Sequence, residues 1–387
     1  MEYDRSLSFE YFSPTKIIYG ENSINEVGLE MDSLGCTRAL VVTDMGIVDA
    51  GLAERVIKAL GKRYIGTYDR CIQDSGFHLV NEGSALGLEY GADILISVGG
   101  GSVIDTAKGM AMVMKEGGKL EDHAGAQKLT RSQTPHIVIP TTAGTGSEVT
   151  RYAVIKDWDR NIKDFIFDYH IIPDKAILDP TMTAGLPPIL TAGTGMDAFT
   201  HALEAIHTME RQPLADAMAL HAIKLIVQYL PQCIEDGSNL FARGQQLLAA
   251  TIAGIACSTA FFGLNHAMAH CLGALFEVPH GIANSILLPH VMNFNMDECA
   301  DLYAGIARAM GVDTRDMNSS EAGMAAAKEV KKLTQKIGLP QSLREVGVPE
   351  EGLAEAAELS LSDGNIIYNP RVVTGAEEVL EVYKAAW

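Results

Sequence analysis

The stretch Ile94–Met114, ILISVGGGSVIDTAKGMAMVM, runs from a β-branched segment through three glycines into helix-like spacing. A short aliphatic run bounded by glycine reads as a buried strand, and VIDTAKGMAMVM reads as the helix that follows it. At the turn between them, Gly99, Gly100 and Gly101 let the backbone approach a ligand closely, and Ser102 is placed to cap the helix. The N–H groups at the start of such a helix form an anion site suited to a pyrophosphate. The spacing G-x-G-x-x-G is missing, so the turn alone serves equally well as a tight connection.

Working outward, KIIYG (16–20), RALVVTD (38–44), HIVIPTT (136–142) and KAILDP (175–180) read as further strands with helical segments between them. That alternation predicts a mainly parallel sheet with crossover helices. From about Leu190 the strand signals stop. ADAMALHAIKLIVQYL, GQQLLAATIAGIA and AAAKEVKKLTQKIG carry apolar residues at helical intervals instead. The change falls in LDPTMTAGLPP, where Pro180, Gly185, Pro187 and Pro188 punctuate the chain. The fold expected is therefore α/β plus all-α: a Rossmann-like parallel-sheet domain over 1–187, then an all-helical metal-binding domain over 188–387.

A second turn, TTAGTGSEVT, follows the strand HIVIP, and its Thr141, Thr142 and Thr145 hydroxyls suit phosphate or ribose oxygens. Asp44, at the end of RALVVTD, could accept hydrogen bonds from an adenosine ribose and repel a 2′-phosphate, which favours NAD over NADP. A turn-capping aspartate is the plainer alternative.

The helical half carries Asp197 and His201 in TGMDAFTHALEA, and His266 and His280 in NHAMAHCLGALFEVPHG. Residues four apart share one helical face, so the first pair can aim at one point. His280, in a Pro-His-Gly turn, suits a ligand returning from a loop. Three imidazoles and one carboxylate fit Fe(II), Zn or a similar ion better than Mg or Ca. Each histidine taken singly reads more readily as an ordinary core residue, but the small and apolar flanks make buried polar groups costly unless something satisfies them.

The 387 residues allow two or three domains, and 47% are hydrophobic. Net charge is −19 with no basic run, which speaks against nucleic-acid or anionic-membrane partners. The N-terminal stretch has no long apolar segment, so neither secretion nor a membrane anchor is expected. Six cysteines lie scattered without a C-x-x-C pair, as in a protein of the reducing cytoplasm.

GGGSVIDTAK (99–108), PTTAGTGSEVT (140–150), PDKAILDP (173–180), GMDAFTHALEA (195–205) and HAMAHCLGALFEVPHGIANSILLPHVMNFN (266–295) together resemble the iron-containing (group III) alcohol dehydrogenase family over almost the whole chain. The resemblance implies Asp197, His201, His266 and His280 as ligands of a divalent metal, Fe2+ first and Zn2+ next. It implies His270 in the active-site wall, Gly99, Gly100, Gly101 and Ser102 at the pyrophosphate of NAD, and Thr141, Thr142 and Thr145 on its phosphate and ribose side. It further implies Asp44 at the adenosine ribose and Lys163 near the nicotinamide ribose. The chain departs from the family at Ile72–Phe77, where many members carry a Pro-Asn-Pro turn.

The activity implied is reversible hydride transfer between NAD and a small alcohol, diol or hydroxyaldehyde, by a homodimer or larger homo-oligomer. His270, one turn after His266, is the candidate proton relay. Two rivals are a metal- and NAD-dependent lyase of the dehydroquinate synthase type, which would need cationic residues around an anionic substrate, and a non-catalytic metal-binding paralogue. The second would have lost a ligand or the glycine turn, and both are intact.

Overall fold

Eight strands are present in a computed structural model that describes Tyr3, residues 7–158 and residues 162–387: β1 (Lys16–Tyr19), β2 (Ala39–Val42), β3 (Tyr64–Tyr68), β4 (Ile94–Gly99), β5 (His136–Pro140), β6 (Tyr152–Asp157), β7 (Ile162–Phe167) and β8 (Lys175–Leu178). Six of them form one sheet in the order β1-β8-β5-β4-β2-β3, with every neighbouring pair parallel. Strands β2, β4, β5 and β8 are buried along their whole length, as the uninterrupted aliphatic runs require of strands covered on both faces. Alternate side chains divide between two cores. Leu40, Val42 and Leu95 pack on one face with Val103, Ala107 and Met110 of helix Gly101–Glu116, and Val41, Ile94, Ile96 and Ile139 pack on the other with Val27, Met31 and Val56.

β3 is absent from the sequence expectation. Its segment YIGTY is only partly buried, carries a glycine at mid-strand and closes one edge of the sheet. The antiparallel hairpin β6–β7 was likewise not anticipated.

The sheet fixes where a ligand can sit. After β1 at the far edge the chain passes to β2, runs outward to β3, then returns to the other side of β2 for β4 and β5, so the order reverses between β2 and β4. Crevices at the carboxyl ends of strands flanking such a reversal are the binding places of open α/β sheets. Asp44 follows β2 there, and the glycine turn follows β4, with Val42 paired to Ser97.

The second unit is helical. Pro187 and Pro188 open helix Pro188–His207, proline at the first helical position having no amide to waste and a fixed φ near the helical value. That helix is buried from Met196 to His207 and packs against helices Pro213–Glu235, Leu240–Ala260 and His280–Phe294. Helices 213–235 and 240–260 are long and apolar enough by composition to cross a bilayer, and they pack on one another here.

The two units comprise Ser13–Leu186 and Pro187–Trp387, the second also taking in the segment that precedes Ser13. Tyr3 ties that segment to the helices: its hydroxyl donates to Asp216 at 2.6 Å and its ring lies under the Arg211 guanidinium. The described residues before Ser13 therefore group with the helical unit and not with the expected domain 1–187, Tyr3 being held there by charged partners.

Candidate metal and cofactor sites

Helix Pro188–His207 brings Asp197, His201 and Glu204 to one face by their spacing of four and three residues. Helix Leu264–Phe276 supplies His266, and helix His280–Phe294 supplies His280 from its first residue. His280 was expected in a returning turn. Pro279 instead caps a helix that begins at His280, so the imidazole stands at a helix start. A close approach makes this possible: a Cβ on Gly281 would lie 2.1 Å from the carbonyl oxygen of Gly193, so only glycine lets the two helices meet there.

The donors converge. Asp197 Oδ1 lies 3.5 Å from His201 Nε2, 3.5 Å from His280 Nε2 and 3.9 Å from His266 Nε2. Bonds of about 2.1 Å to a tetrahedral ion imply donors about 3.4 Å apart, and each histidine stands near that distance from Asp197, although His280 is not within 4.8 Å of every other donor as the remaining three are. Asp197, His201 and His266 are buried and their donor atoms lie within 4.8 Å of one another. Burial, and then the neighbouring His201, push His266 well below its usual pKa, which leaves the neutral imidazole that a metal requires. The residues present thus fit a divalent ion.

Partners outside the donor set orient it, and sequence reasoning missed them. Glu204 is fully buried; its Oε2 meets His266 Nδ1, while Oε1 accepts from the amides of Gly263 at 3.1 Å and Asn265 at 3.0 Å. The His266 ring is thereby fixed with Nε2 toward Asp197. Asn284 donates to Asp197 Oδ1 at 2.8 Å and is itself oriented by Asn265, whose amide donates to its Oδ1 at 3.0 Å. Glu204 recurs three residues after His201 on the ligand-bearing face, and that was the available signal.

His270 is beside this cluster. Its ring stacks on His280 with centroids 5.2 Å apart, and its Nδ1 lies 2.7 Å from Asp363 Oδ2. Burial pushes the Asp363 carboxyl up, but the charge and hydrogen bond of His270, together with Asn365, outweigh it and bring it down to about 2. Phe262 covers another side, its ring stacked 4.3 Å from that of His266.

In the sheet unit the two predicted turns meet. Thr141 N donates to Gly99 O at 3.0 Å, and a Cβ on Gly101 would come within 2.7 Å of Thr145 Cγ2. A Cβ on Gly100 would be 3.2 Å from Thr142 Cγ2. The glycines therefore serve close approach between turns. Gly100 caps the helix through its backbone alone, with no side chain over the first amides, which leaves the helix start to an anion. Ser102 does not cap; it lies inside the first turn, where its Oγ accepts from Asp74 N at 3.3 Å. Residue Asp74, in the stretch that departs from the family pattern, is thus held against this helix start. The cradle fits a phosphate group.

Asp44 is the N-cap of the short helix Met45–Asp49, Oδ1 accepting from Ile47 N at 2.9 Å, rather than the last residue of a strand. Lys163 stands on β7 opposite Lys156, and its side chain lies outside the described residues.

Two family models account for nearly all of the chain: iron-containing alcohol dehydrogenase over residues 14–180, and the C-terminal part of the Fe-containing alcohol dehydrogenase family over residues 191–387. The chain belongs to the iron-containing alcohol dehydrogenase family. Membership makes it an oxidoreductase whose cofactors are NAD and a divalent metal. Among its relatives, a 1,3-propanediol dehydrogenase of Klebsiella pneumoniae is 37% identical over 98% of this chain and 99% of its own length. A crystal structure of a 1,3-propanediol oxidoreductase superposes with a TM-score of 0.96 at 36% identity, covering 98% of this chain and all of the other. A sulfoacetaldehyde reductase from Bifidobacterium kashiwanohense, solved with NAD+, superposes at 0.89 with 27% identity over 98% of this chain and 99% of that one.

Proposed function

We propose that this protein interconverts a small, uncharged alcohol or diol and its aldehyde or ketone, with Asp197, His201, His266 and His280 holding the metal. The observation that carries the reading is the approach of the Nε2 atoms of His201, His280 and His266 to 3.5, 3.5 and 3.9 Å from Asp197 Oδ1. When bound, the ion supplies Lewis acidity toward the substrate oxygen and NAD accepts or returns the hydride.

The chain's own residues do the rest. Gly99–Ser102 and Thr141, Thr142 and Thr145 bind the phosphates and ribose of NAD, Asp44 the adenosine ribose, and Lys163 the nicotinamide ribose. Asp363 holds the Nδ1 side of His270, so proton exchange falls to Nε2, which passes it toward water. Phe262 over His266 limits bulk beside the metal and favours short substrates such as aliphatic alcohols, diols or hydroxyaldehydes. The names of the propanediol relatives support that size class. A homodimer or larger homo-oligomer in the cytoplasm, with small molecules rather than nucleic acid or membrane as partners, belongs to the same reading; the net charge of −19 supports the choice of partners, and six buried cysteines support the compartment.

The test is a panel of aldehydes assayed with NADH after metal analysis of the purified protein. Reduction of short neutral aldehydes by metal-loaded protein, lost on chelation, is expected. Turnover of anionic substrates alone, or no oxidation of NADH with any aldehyde, would overturn it.

A further inference from the structure

Lys108 is fully buried in the sheet unit, and the binding residues proposed above leave it without a task. On helix Gly101–Glu116, Gly101, Asp105 and Lys108 follow at i, i+4 and i+7, so they form one stripe, and the stripe meets a single stretch of chain. Gly101 abuts Thr145. Asp105 Oδ1 accepts from the Ser147 hydroxyl, and its Oδ2 accepts from Val154 N at 3.0 Å. The Lys108 ammonium donates to Thr150 O at 2.9 Å, Thr150 Oγ1 at 3.1 Å, Tyr152 O at 2.5 Å and Ser147 Oγ at 3.3 Å, and lies 3.7 Å from Asp105.

Stability alone does not account for this arrangement. Removing an ammonium and a carboxylate from water is so costly that apolar residues of similar volume commonly serve a core as well or better. What the charged pair adds is position. Each hydrogen-bond acceptor named for Lys108 belongs to 147–152, which continues directly from Thr141, Thr142 and Thr145, while the lysine itself stands two turns below the glycines of the opposite turn.

We propose that Asp105, Lys108 and Ser147 are positioning residues for the cofactor: a buried polar staple that sets the spacing of the two turns and through it the affinity for NAD(H). The proposal rests on the reading that these turns bind the phosphates. A preorganised cradle binds more tightly because less ordering remains to be done on association.

The metal-loaded full-length protein and its K108M, D105N, S147A and G101V variants are titrated with NADH by fluorescence, alongside melting temperature without cofactor, metal content and kcat at saturating NADH. S147A removes one hydroxyl and is decisive if K108M fails to fold. Its NADH dissociation constant is expected to rise about tenfold, a loss of about 1.4 kcal/mol, with metal content and saturated kcat close to the parent's. K108M and D105N, where folded, should bind at least as weakly. A purely structural role predicts the reverse, lowered melting temperatures with NADH affinity unchanged in every folded variant, and would overturn the staple. Weakened binding in G101V alone would also overturn it while keeping the phosphate reading; normal binding in G101V would overturn that reading and the staple with it.

Discussion

The carboxylate of Glu204 holds the Nδ1 edge of His266, two helical turns beyond Asp197 on the same helix, and both side chains are out of contact with solvent. Because the other carboxylate oxygen already accepts two backbone amides, a glutamine at this position must aim its NH2 group at a donor. E204Q is therefore expected to tilt His266 and lower metal affinity by about 10- to 100-fold, the usual effect of removing such an outer partner. Chelator competition measures it. Affinity equal to the parent's would remove Glu204 from the site.

The Gly193–Gly281 contact makes a second prediction. A methyl group at Gly281 has no room beside the Gly193 carbonyl, so G281A must push the His280 helix away from the helix that carries Asp197. Overpacking of this kind costs about 1–3 kcal/mol. His280 moves with its helix, and metal affinity should fall at least tenfold while Asp197, His201 and His266 stay in place. Calorimetric metal titration with unchanged affinity would show that the helix start is more compliant than its packing implies.

Much of this could be read from the residues. The aliphatic runs of β2, β4, β5 and β8 are buried on both faces, and burial on both faces is what such runs report. β3 escaped because an edge strand with Gly66 at its centre has neither full burial nor clean alternation. The grouping of Asp197, His201 and His266 was legible as spaced donors among small and apolar neighbours, and the structure brings those three together. Glu204 was overlooked although it follows His201 by three residues on the same helix face, and Asn284 carried no such signal, since nothing local distinguishes a helix-interior Asn whose partner comes from another helix. The same is true of Lys108, whose acceptors lie some forty residues on.

Asp44 has two tasks that substitution can separate. As an N-cap it satisfies the Ile47 amide, and as a carboxylate beside β2 it is the proposed discriminator against a 2′-phosphate. D44S keeps the cap and removes the charge. D44G removes both, although glycine is a tolerable cap and costs only about a few tenths of a kcal/mol. Both variants should raise the NADPH-to-NADH ratio of kcat/KM at least tenfold, with little change in melting temperature. A ratio unmoved in both would assign Asp44 to capping alone.

His136 gives the α/β unit a dependence on acid that is independent of the metal. Its ring is buried at the start of β5, with Nε2 2.8 Å from Ser97 Oγ, and burial, reinforced by Lys108, lowers its pKa to about 3. In the unfolded chain a histidine titrates near 6.5, at about its ordinary value. Between those two values the unfolded chain binds a proton that the folded one refuses. Stability contributed by the neutral ring is complete above about pH 6.5 and is lost progressively as pH falls toward 3, with a slope of about 1.4 kcal/mol per pH unit for one proton. H136N, which cannot take up that proton in either state, should lose this share of the slope. Urea unfolding followed at pH 7, 6, 5 and 4 measures it. The variant is expected to be less stable than the parent at pH 7, because the Ser97 bond is disturbed, and to close the gap as the solution is acidified. Parallel stability lines across that range would mean that His136 is protonated inside the sheet, and the burial argument for this residue would fail.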